Sequence, residues 1–318
     1  MVKKKVLVCG ATGFIGRNIA ERFAMKEEFE VYGTYNKTKP SNNARIKIEK
    51  ADLTINYDAE RLVNGKNIII QAAATTSGVK DTFAKPYYHV TDNAIMNSFI
   101  FRSAHINNVS HVIFLSSSSI YSPSDKPVKE TDFDYDKIVS AYFGVAWTKV
   151  YLEKMCEFYS RIGNVKFTVI RPANIYGPYD KFDLERSHVF GATITKVLTA
   201  KNDRITVWGS GEEERDLLYV SDLVDFVELA IDKQQSKFGV YNVGTASSIS
   251  INDLVEKIII SAGKKLKIDH DLSKPAIPTK LSLDPTKAKK ELGWSQKVSL
   301  DEGIEKTIDW YRENILSE

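Results

Sequence analysis

The stretch "VLVCGATGFIGRNIA" sets Gly10, Gly13 and Gly16 between an apolar run and a helical pattern. Gly10 suits a tight turn, Gly13 a close approach of backbone to a pyrophosphate, and Gly16 close packing of helix on sheet. Thr12, Phe14 and Ile15 lie in the same turn, where the helix start offers unpaired N–H groups to phosphate oxygens. Further on, Ser116, Ser117, Ser118 and Ser119 follow the apolar run "HVIFL". That is the carboxyl edge of a strand, where open α/β sheets bind ligands. The plainer alternative is a polar loop. In "SAYFGVAWTKVYLEK" a helix could aim the Lys149 ammonium into a cleft, with Val145 one turn before it on the same face.

The second apolar run, "FEVYGTYNKT", bears on the cofactor. An acidic residue at its end would bind the ribose 2′-hydroxyl of NAD and repel a 2′-phosphate. Thr34, Asn36 and Lys37 stand there instead. Hydroxyl, amide and ammonium suit a phosphate, so NADP(H) is favoured over NAD. The bland alternative for Lys37 is a solvated loop lysine. Arg17 either adds charge near the phosphates or is simply exposed. In "ADL", Asp52 and Leu53 are placed to meet an adenine. In "QAAA", Ala72, Ala73 and Ala74 are small enough for backbone to pass close to the cofactor.

These residues need an alternation of strands and helices to hold them. "KKVLVCG", "FEVYGTY", "NIIIQAAA", "HVIFLSSSS" and "VKFTVIRPANIYGP" read as strands. Helical patterns lie between them, through "FIGRNIAERFAM", "NAIMNSFIFRSAHI" and the segment with Lys149. The expected fold is an α/β, Rossmann-like, doubly wound parallel sheet with a smaller α/β C-terminal lobe that binds substrate. Residues 1–172 with about 219–243 are expected to form the cofactor domain, and 173–218 with 244–318 the second. Beyond Pro178, "SHVFGATITKVLTA" looks helical and "ITVWGSGEEERDLLYV" holds two short strands. "SINDLVEKIIISAG" is a helix capped by Ser250, "HDLSKPAIPTKLSLDP" is a loop, and a helix runs through "DEGIEKTIDWYREN".

With 318 residues the chain is long enough for two lobes. A net charge of +3, with no long block of like charge, gives no sign of nucleic acid or membrane as a partner. The basic start and short apolar run of "MVKKKVLVCG" read as a first strand rather than a signal peptide, and no apolar stretch is long enough to span a bilayer. Cys9 and Cys156 suit buried positions in a reducing compartment, so a cytoplasmic protein is expected. The five histidines are scattered, and no metal site is expected.

Taken in order, "GATGFIG", "ADL", "QAAA", "FLSSSSIY", "RPANIYGP" and "RDLLYVSDL" resemble the extended short-chain dehydrogenase/reductase superfamily over nearly the whole length. "ERSHVFGATI", "VWGSGEEERDLLYV" and "SKPAIPTKLSLDPTKAKKELGW" are most similar to the GDP-L-fucose synthase-like nucleotide-sugar epimerase/reductases. The resemblance implies an NADP-dependent reaction at C4 of a 4-keto sugar nucleotide, with a GDP sugar as the partner, in the synthesis of a deoxysugar for surface polysaccharide. It implies that Ser117 bonds the C4 oxygen, Lys149 holds the nicotinamide ribose and His188 is the acid of an epimerisation step. Pro172 and Asn174 would border the cofactor. Asn174, Ser118, Ser119, Val189, Trp208, Arg215 and Lys280 would line the nucleotide-sugar site. It also implies a homodimer, formed by helices around residues 92–106 and 146–161 pairing into a four-helix bundle.

Two positions depart from the pattern. Ser119 stands where the family has a cysteine; a thiol near pKa 8.5 is a usable base and an isolated hydroxyl is far weaker, which argues against epimerisation at C3 and C5. Val145 stands at the tyrosine of the Tyr-x-x-x-Lys pair. Lys149 would lower the pKa of a phenol there and let it exchange a proton with the C4 oxygen. Valine cannot, and losing a positioned acid/base typically lowers rates about 10²–10⁴-fold. Tyr142 is about 10 Å along the axis from Lys149, and Tyr151 falls on another face. Three explanations stand open: an introduced, disabling substitution, a natural binding protein without turnover, or a natural enzyme that uses another acid. A 4-epimerase with tightly held NAD and a sugar-nucleotide-binding or redox-sensing protein are the alternative functions.

Overall fold

The computed structural model describes residues 2–38, 40, 43–75, 87–184, 187–274, 277 and 279–317. Seven parallel strands form the central sheet: β1 (Lys4–Cys9), β2 (Phe29–Tyr35), β3 (Ile46–Lys50), β4 (Ile68–Gln71), β5 (His111–Leu115), β6 (Lys166–Pro172) and β11 (Phe238–Val243). Their order is β11-β6-β5-β4-β1-β2-β3. The chain therefore winds outward from β1 in both directions, and the order reverses between β1 and β4. That reversal leaves a crevice at the carboxyl ends of the strands.

Val6, Leu7 and Val8 of β1 are fully buried because helices cover both faces of the sheet. On one face, α1 (Phe14–Ala24) contributes Ile19, Ala20 and Phe23, and α6 (Val220–Lys233) contributes Leu223, Phe226 and Val227. On the other lie α2 (Asn56–Val63), α3 (Tyr87–Ile106) and α4 (Phe143–Ile162), with Leu62, Ile100, Phe101 and Leu152 in the core. Cys9 and Cys156 are free and buried in that second core.

A third core joins Tyr176, Phe190, Ile194, Leu254, Ile258, Ile304 and Ile308. Its elements are β7 (Asn174–Tyr176), α5 (Val189–Thr199), β8 (Arg204–Trp208), β10 (Leu217–Tyr219), α7 (Ile251–Ser261), β13 (Lys267–Asp271) and α9 (Leu300–Asn314). Ser250 caps α7 as expected, accepting the Asp253 N–H. Elsewhere the sequence reading needs correction. "ITVWGSGEEERDLLYV" holds three strands, because β9 (Glu214–Arg215) pairs antiparallel with β12 (Ile249–Ser250). The expected loop begins inside β13, and α8 (Thr286–Leu292) follows it. Of that loop, residues 275, 276 and 278 lie outside the described residues. Among the described residues no helix is long and apolar enough to cross a membrane.

Candidate active site

The glycine turn sits at the β1/β4 reversal. Gly10 has φ +75°, and a Cβ there would lie 2.8 Å from the Ala73 Cα. A Cβ on Gly16 would lie 2.1 Å from the Gly10 carbonyl oxygen, so α1 can cross β1 this closely only with glycine. Gly13 is different. Its backbone is extended, and a Cβ would meet only the Gly10 oxygen at 3.4 Å. Packing within the protein hardly requires glycine at 13, whereas a phosphate resting on the turn would. No side chain caps Gly13 and no acidic residue stands in the first turn of α1, so the turn with Thr12, Phe14 and Ile15 suits a dinucleotide pyrophosphate.

One cofactor expectation is corrected here. The Thr34 hydroxyl accepts the Gly10 N–H at 2.9 Å and is buried, so it braces the turn from within rather than facing a phosphate. Asn36 and Lys37 are exposed just past β2. Arg17 is half-buried in the first turn of α1. Its guanidinium lies 3.7 Å over the Tyr179 ring and pairs with Glu21 at 2.8 Å. Asp52 is half-buried, its carboxylate accepting from the Thr54 N–H and hydroxyl at 3.0 and 2.6 Å, while Leu53 is buried. Ala72, Ala73 and Ala74 leave the end of β4 beside the glycine turn.

At the end of β5 the Lys149 ammonium donates to the Leu115 carbonyl at 2.8 Å and lies 4.8 Å from the Phe114 ring centroid. Burial brings its pKa down to about 8, against the opposing pull of Glu153. Val145, one turn earlier, is half-buried and offers no polar atom. Ser117 donates to the Ser119 hydroxyl at 2.9 Å and accepts the Ser119 N–H at 3.1 Å, forming a serine pair across a turn that opens with Ser118.

Sequence reasoning missed the network behind this pair. Ser116 donates to Glu153, which forms a two-pronged ion pair with Arg171 at 3.1 and 2.6 Å. Arg171 also donates to the Tyr121 hydroxyl at 2.7 Å, and Tyr121 donates to Asn242 at 2.8 Å. All five side chains are buried. The available signal was Glu153, four residues after Lys149, and the charged first residue of "RPANIYGP". Asp216 was missed as well. It accepts from the Thr245 hydroxyl at 2.8 Å and the Leu283 N–H at 2.9 Å, and burial pushes its pKa up to about 6.

The remaining candidates come from other elements. Pro172 ends β6, and Asn174 is exposed, its amide donating to the Asp216 carbonyl at 3.1 Å. His188 is the N-cap of α5 and Val189 its first residue. The His188 residue is open to solvent on one side, yet desolvation by surrounding atoms, then the Lys181 ammonium, lower its pKa. Trp208, 38% exposed, ends β8 between the Lys196 and Lys274 ammonium groups. Arg215 donates to the Thr279, Ile277 and Glu214 carbonyls at 3.0, 3.2 and 2.9 Å. Lys280 is exposed and paired with Glu214 at 3.0 Å and Asp125 at 3.3 Å. The fold thus gathers the glycine turn, the alanines, the serine pair and Lys149 along one sheet edge, and Arg215 bonds to Ile277 and Thr279 next to Lys280. Neither His188 nor Trp208 hydrogen-bonds to the serine pair or Lys149.

A glycine turn at the switch point of a seven-stranded parallel sheet, with a half-buried lysine bonded to the end of the strand that leads into a serine pair, is the arrangement of an extended short-chain dehydrogenase/reductase. The chain belongs to the NAD dependent epimerase/dehydratase family, whose model matches residues 6–244. It is 30% identical to GDP-L-colitose synthase of Yersinia pseudotuberculosis, over 96% of this chain and 97% of the relative. It is 29% identical to GDP-L-fucose synthase of Escherichia coli, over 99% and 98%. In structure it is similar to the UDP-glucose 4-epimerase of Thermotoga maritima solved with UDP-glucose, with a TM-score of 0.88 and 26% identity over 98% and 99% of the two chains.

The buried lysine gives a stability test. Its folded pKa is about 8 and its ordinary value 10.5, so the folded state holds that proton less well than the unfolded state. The penalty is fully present below about pH 8 and fades as pH rises towards 10.5. Compared with Lys149→Met in urea denaturation, the wild type should gain stability between pH 7 and pH 10, by at most about 3 kcal/mol. A difference that stays flat with pH would contradict a desolvated ammonium.

Proposed function

We propose that this chain binds NADP(H) and a 4-keto-6-deoxy nucleotide sugar, GDP-linked, and catalyses reduction or epimerisation at C4. The observation that carries the proposal is the Lys149 ammonium, anchored on the Leu115 carbonyl two residues before the Ser117–Ser119 pair begins. The full-length likeness to GDP-L-colitose and GDP-L-fucose synthases supports the substrate class. Exposed Asn36 and Lys37, with no acid at the end of β2, support NADP(H).

When bound, the nicotinamide supplies or accepts the hydride. Lys149 holds its ribose, and Ser117 donates a hydrogen bond to the C4 oxygen, polarising the carbonyl. Arg215 neutralises the diphosphate, Trp208 packs against the base and His188 supplies a proton on the solvent side. Val145 removes the fast proton donor to C4, so turnover is slow. The Ser119 hydroxyl is too weak a base for rapid exchange at C3 and C5.

An NAD-linked 4-epimerase is the second reading, favoured by the structural likeness to UDP-glucose 4-epimerase. It requires the isolated protein to carry NAD and to need none added. In a third, Val145 marks a protein that binds cofactor and sugar nucleotide without turnover. We also infer a homodimer through α3 and α4. It would cover Ile95, Trp147, Tyr151 and Phe158, which are 37–56% exposed.

The proposal is tested with NADPH deuterated at the transferring position and GDP-4-keto-6-deoxymannose, at high protein concentration and long incubation. Deuterium should appear at C4 of the product sugar, and Lys37→Ala should weaken NADPH about 10-fold more than NADH. No transfer to GDP- or UDP-linked ketosugars, with cofactor bound, would sink the activity; equal weakening of the two cofactors would sink the NADP(H) choice. Sedimentation should give twice the chain mass, and a monomer at micromolar concentration would remove the dimer.

A further inference from the structure

Lys149 and Glu153 stand one turn apart on α4, a spacing at which an ammonium and a carboxylate ordinarily pair. Here each has a different partner. Among the described residues Glu153 forms its ion pair with Arg171, and the Lys149 ammonium donates to the Leu115 carbonyl at 2.8 Å. Glu153 also accepts from the Ser116 hydroxyl. The two side chains of α4 therefore dock on consecutive residues, Leu115 and Ser116, where β5 ends.

Arg171 is what occupies the carboxylate. Its Nε and Nη2 donate to the two Glu153 oxygens at 3.1 and 2.6 Å. Its Nη1 donates to the Tyr121 hydroxyl at 2.7 Å and to the Glu130 carbonyl at 2.9 Å. Four hydrogen bonds thus fix the guanidinium, and the side chains of the ion pair are only 8% and 6% exposed. A carboxylate that loses its partner in such a place must take another cation or bind a proton. Lys149 is the cation one turn away. Besides Glu153, the titratable group acting on Lys149 is Cys156, whose thiol burial raises well above its ordinary value, so it is neutral. Tyr121, facing Arg171, is held neutral as well, its phenol pushed up to about 12 by burial. The Glu130 carboxylate is turned to the Asn242 N–H at 2.7 Å.

We propose that Arg171 is a positioning residue for Lys149: by holding both oxygens of Glu153 it keeps that carboxylate from the lysine, whose ammonium stays on the Leu115 carbonyl with two N–H donors left for a ligand. This deepens the role given to Lys149 in the proposed reaction and rests on that reading for the identity of the ligand. Were the pair only a strut between α4 and β6, its loss would loosen the helix without changing how tightly Lys149 holds its proton.

Carbon-13 NMR of the full chain, labelled at the lysine ε-carbons and free of cofactor, tests this in a titration from about pH 6 to about pH 11. The Lys149 resonance is the one lost in Lys149→Met. In wild type its midpoint is expected near 8. In Arg171→Met the freed Glu153 should raise that midpoint by about one pH unit or more. In the double variant Glu153→Gln/Arg171→Met, which removes both charges, it should stay within about one pH unit of wild type. The double variant decides alone if Arg171→Met does not fold. The proposal is overturned if folded Arg171→Met shows a smaller rise or none, or if the midpoint in the double variant moves further in either direction. It is also overturned if the wild-type midpoint already matches that of the exposed lysines. Absence of ketosugar reduction would leave these midpoints where they are, so this proposal and the proposed activity can fail separately.

Discussion

The site depends on burying a lysine ammonium without giving it a carboxylate of its own. Among the described residues Lys149 hydrogen-bonds only to the Leu115 carbonyl. Glu153 lies one turn further along the same helix and would be the natural counter-ion, but its two oxygens are taken by Arg171 and Ser116. The Glu153–Arg171 pair satisfies itself, and Lys149 is left with a pKa near 8 rather than 10.5. Removing Arg171 would free a buried carboxylate to neutralise the lysine, so the pair does more than join α4 to β6. By holding Ser116 it also fixes the backbone from which Ser117 and Ser119 project.

The parts of this arrangement that depend on backbone were legible in the sequence. Gly10 and Gly16 announce a turn and a helix crossing that no side chain would permit, and the structure requires glycine at both. The alternation of apolar runs with helical patterns fixed the parallel sheet and placed the serines at its carboxyl edge. The network of Ser116, Tyr121, Glu153, Arg171 and Asn242 was not legible. Its members lie on α4, β6 and β11 and in the segment after β5, and only the fold makes them neighbours. Thr34 was misread for a related reason. Its place at the end of β2 suggests a ligand contact, but the Gly10 N–H claims the hydroxyl from inside. β3 escaped notice because "IKIEK" alternates charge with apolar residues at a sheet edge, and α8 because "TKAKKEL" is short and mostly charged.

Val145 is half-buried one turn before Lys149 and its side chain carries no polar group. The Lys149 ammonium is bonded to Leu115 and the two serines to each other. Tyr142 lies at the junction before α4, about two helical turns from Lys149. The physical expectation is a protein that still binds and orients its ligands but is slow to move the proton that must accompany hydride transfer at C4.

The most direct measurement is turnover of GDP-4-keto-6-deoxymannose with NADPH, wild type against Val145→Tyr. A gain of about 10²-fold or more is expected, since a phenol at 145 would share a helix face with Lys149 and restore the missing acid. No gain, in a variant that still binds NADPH, would contradict the assignment of this site to nucleotide-sugar reduction.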